Sequence, residues 1–214
     1  MFDILNRGGG FMWLILVTSI ISITLIIERT YVLWFRYKLD PRRLLDQIKG
    51  YLDEGKFARA IELCEAEKKH PLAQVLKAGL LKADESERRI QRAMETAASD
   101  VMPVVTKRVN YLQILANFPT LLGLLGTIVG LIEAFKGVAV ADAAAKQEIL
   151  SKGISVAMFT TAFGLIGAIP SVISYAVLQN RQNALLAEIE NRSNELFNHL
   201  ADRNQRLIEQ SQSN

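Results

Sequence analysis

The chain is poor in the residues that build disulfides and metal sites. Its 214 residues include one cysteine, Cys64, and two histidines, His70 and His199, which lie far apart in the sequence. A single cysteine excludes an internal disulfide framework and any metal site with several thiolate ligands. The isolated histidines do not predict a zinc site, and we expect both to be solvated or partly packed. Neither a metal nor a cofactor is expected.

The sequence also lacks the short motifs of common enzyme classes. It has no G-x-x-x-x-G-K-[ST] loop, no G-x-G-x-x-G after a strand and no H-E-x-x-H pair. An enzyme is therefore not expected, and neither is a nucleic-acid partner.

Charge is scarce overall and unevenly distributed. Charged residues make up 22% of the chain, hydrophobic residues make up 50%, and the mean hydropathy is +0.18. A positive mean hydropathy in a chain with many Lys and Glu residues indicates very apolar blocks beside very charged ones. This division is typical of a membrane protein with a water-exposed part.

Three apolar blocks are long enough to cross a membrane. The first, FMWLILVTSIISITLII, is followed by Glu28 and Arg29 and not by a signal-peptidase site, so we interpret residues 11–28 as a retained span. The second covers 111–135 and the third 153–178, each about 37 Å long as a helix. The sequence predicts an all-α membrane protein with three transmembrane helices.

The distribution of cations predicts the orientation. The segment 28–110 contains 17 of the 25 Lys and Arg residues, whereas 136–152 contains three. The positive-inside rule then makes 29–110 a cytoplasmic helical domain and 179–214 a cytoplasmic helical tail. Residues 1–10 become a periplasmic N-terminus and 136–152 a periplasmic loop. The predicted location is the bacterial inner membrane, with the C-terminus in the cytoplasm.

The cytoplasmic parts show helical patterns. Asp40 is expected to cap a helix that begins at Pro41, Gly55 marks a turn, and Pro71 starts another short helix. Asp84 and Glu87 fit a capping box, after which a helical pattern runs into the second span. The second and third spans are thus predicted to extend into the cytoplasm, with a small helical insert between the first and second.

The tail carries a heptad-like apolar stripe, which is compatible with a solvated helix or with one packed against neighbouring helices. We favour packing because the stripe begins where the third span ends. Its residues are Leu186, Ile189, Leu196, Leu200 and Leu207.

The second and third spans each carry one face of small residues. On the second these are Thr120, Gly123, Thr127, Gly130 and Ala134, with Gly126 beside them. On the third they are Gly153, Ala157, Thr161, Gly164, Ala168 and Ser171, with Thr160 and Gly167 beside them. Such faces either pack helices closely or line a pathway. The first span has small hydroxyl residues but no glycine line, so it is expected to be peripheral.

Ionisable residues are nearly absent from the second and third spans. Glu133 lies near the outer end, one turn before Lys136, and we interpret it as an interface charge. If the protein moves protons, another chain must supply the titrating group.

Two long motifs resemble the MotA/TolQ/ExbB proton-channel family. They are PTLLGLLGTIVGLIEAF (119–135) and ISVAMFTTAFGLIGAIPSVISY (154–175). Three spans are similar to the ExbB and TolQ branches. The resemblance implies a homo-oligomer, a pentameric ring in the lipid bilayer. The ring would surround a dimeric ExbD/TolR-like single-span partner whose membrane aspartate carries protons, and it would act through a TonB- or TolA-like protein.

The resemblance also assigns residues. Thr127 and Thr161 match the pore-facing threonines of the family, with Thr160 adjacent. Val156 stands where many ExbB-like members have glutamate, so a ring carboxylate is missing at that position. The helix-packing positions around the partner would be Gly123, Gly126, Gly130, Ala157, Gly164, Ala168 and Ser171.

Two functions remain open at this point. One is a subunit of a motor driven by the proton-motive force, and the other is an oligomeric membrane scaffold without ion conduction. Threonines at matching depth on two spans favour the motor.

Overall fold

The computed structural model describes residues 9–37 and 39–212, and the regular elements within these ranges are all helices. They are α1 (Gly9–Tyr31), a π-helical turn (Val32–Arg36), α2 (Pro41–Asp53), α3 (Phe57–Ala66), α4 (Pro71–Leu80), α5 (Glu87–Val140) and α6 (Ala143–Gln212). The predicted all-α class is confirmed. Most of the segment 1–10 lies outside the described residues.

Three helical segments are long and apolar enough to cross a membrane, which confirms the predicted number of spans. The first is Gly10–Phe35, and the others lie within α5 and α6. With 54 and 70 residues, α5 and α6 are about 80 and 105 Å long, well beyond a hydrocarbon core of about 30 Å. Both therefore continue as helices outside the apolar segment.

The segment 136–152 is more regular than the predicted loop. α5 continues to Val140, α6 begins at Ala143, and only residues 141 and 142 between them are non-helical. The Asp142 carbonyl accepts hydrogen bonds from the backbone N–H groups of Ala145 and Lys146, which starts the new helix. Alanine has the highest helix propensity, so the run Ala143–Ala145 favours this early start.

The described residues divide into two compact units. We call residues 9–29 and 108–178 the membrane unit, and residues 30–107 and 179–212 the polar unit. α5 and α6 each contribute to both. The polar unit also contains α2, α3 and α4, and the membrane unit contains most of α1.

Local signals in the polar unit form as predicted at two positions. The Asp40 carboxylate accepts hydrogen bonds from the N–H groups of Arg42 and Arg43, with Pro41 as the first residue of α2. Gly55 has φ +73°, which favours glycine because side chains with a Cβ are strained there. These two residues start α2 and set the turn between α2 and α3.

The start of α5 differs from the predicted capping box. α5 begins at Glu87, and the Ser86 carbonyl accepts hydrogen bonds from the N–H groups of Arg89 and Ile90. Asp84 lies outside the helix, with its carboxylate 3.9 Å from Arg203. Residues 81–84 form the turn that follows α4, so Asp84 belongs to this turn and cannot be the N-cap of α5.

The thiol and one imidazole of the polar unit are buried. Cys64 is 1% exposed, and burial raises the pKa of its thiol to about 12. His70 is 3% exposed, and burial lowers the pKa of its imidazole to about 4. Its Nδ1 accepts a hydrogen bond from the N–H of Leu72 and so caps α4 in the neutral form. His199 is half-buried, with Nε2 3.0 Å from the Asp53 carboxylate.

The tail packs within the polar unit, as the favoured interpretation of its apolar stripe requires. Lys49 donates to Glu195 at 2.6 Å, Asn204 donates to the Ala83 carbonyl at 3.0 Å, and Arg203 lies 4.3 Å above the Phe57 ring. The buried tail residues include Leu185, Ile189, Leu196 and Leu200. Leu186 is only partly buried, and the side chain of Leu207 is outside the described part.

Candidate functional site

Glycines bring α5 and α6 into backbone contact inside the membrane unit. A Cβ on Gly123 would lie 3.1 Å from the Thr160 carbonyl oxygen and 3.4 Å from the Cα of Gly164. A Cβ on Gly164 would lie 3.2 Å from the Cα of Gly123 and would collide with the Pro119 carbonyl oxygen. Only residues without a side chain allow this approach, as in other small-residue contacts between membrane helices.

The same contact continues along the two helices. A Cβ on Gly126 would meet the Thr160 methyl group at 3.0 Å, and one on Gly130 would meet the Ala157 Cβ at 3.4 Å. Gly153 faces Ala134 so closely that an added Cβ would overlap the alanine methyl group. Most of the predicted small face therefore packs helix against helix within one chain.

Two threonine hydroxyls meet where α5 and α6 are closest. Thr127 Oγ1 and Thr161 Oγ1 are hydrogen-bonded to each other. Thr127 Oγ1 is also 3.0 Å from the carbonyl oxygens of Gly123 and Ala157, and Thr161 Oγ1 is 3.3 Å from the Gly123 carbonyl oxygen. We call Thr127 and Thr161 the threonine pair. Both side chains are half-buried, so part of the pair is accessible to other groups.

The hydrogen-bonding capacity of the threonine pair is not exhausted by these contacts. Each hydroxyl has one proton to donate and two lone pairs to accept. If one proton lies between the two oxygens and the other goes to a carbonyl, acceptor lone pairs remain free. The pair can then accept a proton donor from outside, and it can donate outward when one hydroxyl leaves its carbonyl. The net contribution of such a hydrogen bond is only about 1 kcal/mol.

Thr160 differs from its neighbour Thr161. It is 1% exposed, and its hydroxyl is 2.8 Å from the Val156 carbonyl oxygen and 3.0 Å from the Ala157 carbonyl oxygen of its own helix. Its methyl group packs toward Gly126. These contacts are those of a packing residue. The pathway role expected for Thr160 stays a prediction.

α1 packs on the third span through serines, a contact that the sequence did not reveal. Ser22 donates to Ser171 at 2.9 Å, and Ser171 donates to the Gly167 carbonyl at 2.9 Å. Ser19 lies against Gly167, where an added Cβ would collide with its hydroxyl. The spacing of Ser19 and Ser22 on one helical face was the available signal, because serine can replace glycine as a small contact residue.

The remaining predicted positions are less constrained. Ala168 is buried, Val156 is half-buried, and Glu133 is exposed. Within the described ranges Glu133 forms no ion pair, including with Lys136. An ion pair that was not predicted joins Arg108 to Glu28, beside the buried Arg29.

No cluster of three or more His, Cys, Asp or Glu side chains that could hold a metal ion occurs in residues 9–37 and 39–212. The polar groups around the threonine pair are its two hydroxyls and the backbone carbonyls of Gly123 and Ala157. They suit proton donors and water.

Comparison with curated proteins identifies relatives of two kinds. The chain is 45% identical over 71 residues to biopolymer transport protein exbB1 of Vibrio cholerae, which covers 33% of this chain and 31% of that protein. It is 35% identical over 100 residues to the Tol-Pal system protein TolQ of Haemophilus influenzae, which covers 47% of this chain and 43% of that one. These two alignments therefore span less than half of the relatives' length.

A third relative matches over most of the chain. An ExbB-like biopolymer transport protein of Synechocystis sp. is 28% identical over 192 residues, covering 86% of this chain and 89% of its own. The family model of the MotA/TolQ/ExbB proton channel family matches residues 67–191, a range that includes the threonine pair, all of α5 and most of α6. The chain is a multi-pass inner-membrane protein that belongs to the MotA/TolQ/ExbB proton channel family, in its ExbB/TolQ-like branch.

Proposed function

We propose that the protein is the ring subunit of an inner-membrane motor driven by the proton-motive force. It conducts protons together with an ExbD/TolR-like single-span dimer, and it energises TonB-dependent transport or another envelope process. The ring is a homo-oligomer, a pentamer, in the lipid bilayer. Contact with a TonB- or TolA-like protein transmits the movement. The observation that carries this proposal is the threonine pair between α5 and α6.

The threonine pair suits an acid that changes its protonation state. A carboxylate at the centre of a membrane helix costs about 3 kcal/mol on insertion scales, so nearby donors favour its ionised form. The Thr127 and Thr161 hydroxyls accept from the protonated acid and, after releasing a carbonyl, donate to the ionised one. The pair therefore serves both halves of a proton-transfer cycle with a partner's aspartate.

Val156 supports the proposal that the ring chain and its partner supply different chemical groups. A valine side chain cannot titrate, and Glu133 lies near the outer end of the second span. The ring chain thus contributes hydroxyls at the middle of its spans, and the titrating carboxylate comes from the partner. The predicted small positions Gly123, Gly126, Gly130, Ala157, Gly164, Ala168 and Ser171 bring the ring helices close enough to present those hydroxyls.

The test removes the two hydroxyls and keeps the shape of the side chains, because valine and threonine have nearly the same shape. Thr161→Val and Thr127→Val are expected to abolish or sharply reduce activity in complementation of a gene deletion at normal expression, with assembly on the partner unchanged. Thr18→Val is the matched control, because its half-buried hydroxyl bonds to the carbonyls of Leu14 and Ile15 in its own helix. Full activity of both Thr161→Val and Thr127→Val would remove the proton-pathway role.

A scaffold without ion conduction is the alternative, and one observation favours it. Thr127 and Thr161 already hydrogen-bond to each other and to carbonyls of their own chain, as residues that only join two helices would do. The scaffold predicts that Thr127→Val and Thr161→Val weaken folding or assembly in proportion to any loss of activity. The motor predicts loss of activity in a complex that still assembles.

The proposed topology places 29–110 and 179–214 in the cytoplasm and 136–152 in the periplasm. Cys64 cannot report this, because it is buried and its raised pKa keeps the thiol protonated. For the same reason it can stay as a silent background for single added cysteines. Lys146→Cys, at an exposed position between the second and third spans, should react with an impermeant thiol reagent from outside. Lys69→Cys should react only after the membrane is opened, and the reverse pattern would invert the topology.

A further inference from the structure

Exposed aromatic side chains mark the end of the first helical segment. Tyr31 is 63% exposed, Trp34 40% and Phe35 67%, and the rings of Tyr31 and Phe35 stack with centroids 5.6 Å apart. The opposite face of the same turns is buried, since Leu33 is 1% exposed and Tyr37 7%. The segment therefore has one face in the core of the polar unit and one aromatic face directed outward.

The π-helical turn carries residues of both faces, the buried Leu33 and the exposed Trp34 and Phe35. Its last hydrogen bond runs from the Tyr37 N–H to the Val32 carbonyl at 3.1 Å. Tyr37 then packs edge-on against His70, with ring centroids 5.8 Å apart. Tyr37 is thus held in the core of the polar unit, whereas Tyr31, Trp34 and Phe35 stay exposed. A contiguous exposed aromatic surface of this kind indicates an interaction site.

The length of the helical segment indicates what covers this surface. Gly10–Phe35 has 26 residues, about 39 Å at 1.5 Å per residue, whereas the hydrocarbon core is about 30 Å thick. The segment is therefore long enough to extend into the headgroup layer. Glu28 and Arg29 precede the aromatic residues, and charged residues mark the edge of the hydrocarbon region. Tyr31, Trp34 and Phe35 then fall in the interfacial layer, where Trp and Tyr are enriched.

The sequence that follows has the charge to contact lipid phosphates. Residues 36–43, RYKLDPRR, contain four cations and one acid. The acid, Asp40, accepts hydrogen bonds from the backbone N–H groups of Arg42 and Arg43. The side chains of Arg42 and Arg43 are exposed and form no ion pair with any other described residue. Cations near an anionic membrane surface are attracted to its lipid phosphates.

We propose that residues 31–43 form a second contact with the bilayer, an interfacial anchor beside the first span. Tyr31, Trp34 and Phe35 lie among the lipid headgroups, and Arg42 and Arg43 bind the phosphates of anionic lipids. The anchor holds the beginning of the polar unit at the membrane surface. It also limits rotation of the first span about its own axis, because the aromatic face must stay toward lipid.

The chain has two tryptophans, Trp13 and Trp34, so tryptophan fluorescence tests the proposal directly. Full-length Trp13→Phe, which retains only Trp34, is reconstituted in anionic lipid vesicles. Lipids brominated near the headgroup should quench Trp34 more than lipids brominated at the chain end, and aqueous acrylamide should quench it weakly. Trp34→Phe retains Trp13 within the predicted first span, and quenching of Trp13 by brominated lipid confirms insertion.

Three results would overturn the interfacial anchor. Strong quenching by acrylamide with none by brominated lipid would place Trp34 in water. Protection from both quenchers would show that protein covers the aromatic face, either a second copy or a partner. Strongest quenching by chain-end bromines would place Trp34 inside the hydrocarbon core, as an ordinary part of the span.

A charge-matched pair of variants tests the phosphate contact. In the Trp13→Phe background, Arg42→Gln with Arg43→Gln should increase the acrylamide quenching of Trp34 in anionic vesicles. The control is Arg88→Gln with Arg92→Gln, which removes the same charge at exposed positions elsewhere in the polar unit and should leave the quenching unchanged. Equal quenching in the two double variants would overturn the headgroup contact of Arg42 and Arg43.

Discussion

The membrane unit and the polar unit share the helices α5 and α6, yet the same helices pack in two different ways. In the polar unit large aliphatic side chains are buried, among them Leu44, Leu45, Ile48, Leu52, Leu72, Leu76, Ile90 and Leu196. In the membrane unit many of the buried residues are small, among them Ser22, Ala116, Ala134, Ala157, Thr160, Ala168 and Ser171. There the large aliphatic residues, such as Leu121 and Ile132, are mostly exposed.

This difference follows from the surrounding solvent. In water, burial of apolar surface contributes about 25 cal/mol per Å², so large side chains go inside. Lipid chains are as apolar as leucine, so burial of leucine between membrane helices contributes little, and close backbone packing and hydrogen bonds take its place. Close backbone packing is also what brings Thr127 and Thr161 together. The candidate site therefore depends on the close backbone packing of the membrane unit. The described residues of the polar unit, which pack through large side chains, do not provide such a contact.

The largest expected effect on the free energy of unfolding comes from comparing a leucine-to-alanine substitution in each unit. Leu196→Ala removes a fully buried side chain of the polar unit and should destabilise it by about 2–5 kcal/mol. Leu121→Ala removes a 60% exposed side chain of the membrane unit and should change stability by at most about 0.5 kcal/mol. Denaturant unfolding in mixed micelles measures both. A large loss for Leu121→Ala would show that protein, such as a second copy, covers this face.

The next largest effect on stability is expected from alanine substitution at a tightly packed glycine, compared with the same substitution at a glycine in ordinary van der Waals contact. Gly164→Ala places a Cβ 3.2 Å from the Cα of Gly123 and against the Pro119 carbonyl oxygen, so α5 and α6 must move apart. We expect a loss of about 1–3 kcal/mol, as for other overpacked sites. Gly130→Ala meets Ala157 at an ordinary 3.4 Å, and alanine favours helix, so it should be neutral. Thermal unfolding in mild detergent compares the two, and equal effects would contradict a glycine-specific contact.

Much of the fold could be predicted because its signals are local. The apolar blocks, the Asp40 cap and the small faces each follow from residue type and spacing. The helical course of 136–152 was missed because a polar segment between two spans is also typical of a loop. The start of α5 at Glu87 was missed because it depends on how far the turn after α4 extends, which the sequence does not state.

The residue types of the candidate site could be predicted from the sequence, but the contacts between these residues could not. Thr160 and Thr161 are adjacent, and successive helical residues point in directions about 100° apart, so only one can face Thr127 squarely. The structure places Thr161 there and buries Thr160 against Gly126. The contact of Ser22 with Ser171 depends on the position of α1 on α6, which helical periodicity alone cannot supply.

The smallest expected effect compares one polar contact from each unit. In the membrane unit, Ser22 and Ser171 are hydrogen-bonded at 2.9 Å and are both almost fully buried. In the polar unit, Lys49 and Glu195 form an ion pair at 2.6 Å, with side chains 25% and 38% exposed. Hydrogen bonds between membrane helices contribute about 0.6 kcal/mol on average, because the separated helices also find polar partners. A partly exposed ion pair contributes about 0.2–1 kcal/mol.

Double-mutant cycles with Ser22→Ala and Ser171→Ala, and with Lys49→Gln and Glu195→Gln, should therefore give similar coupling energies. Salt distinguishes the two contacts, since screening weakens an ion pair between partly exposed charges but leaves a neutral, buried hydrogen bond unchanged. The Lys49–Glu195 coupling should fall as ionic strength rises, and the Ser22–Ser171 coupling should not. A Ser22–Ser171 coupling of several kcal/mol would contradict this account. It would mean that hydrogen bonds, beyond close backbone packing, are the main force that holds α1 on α6.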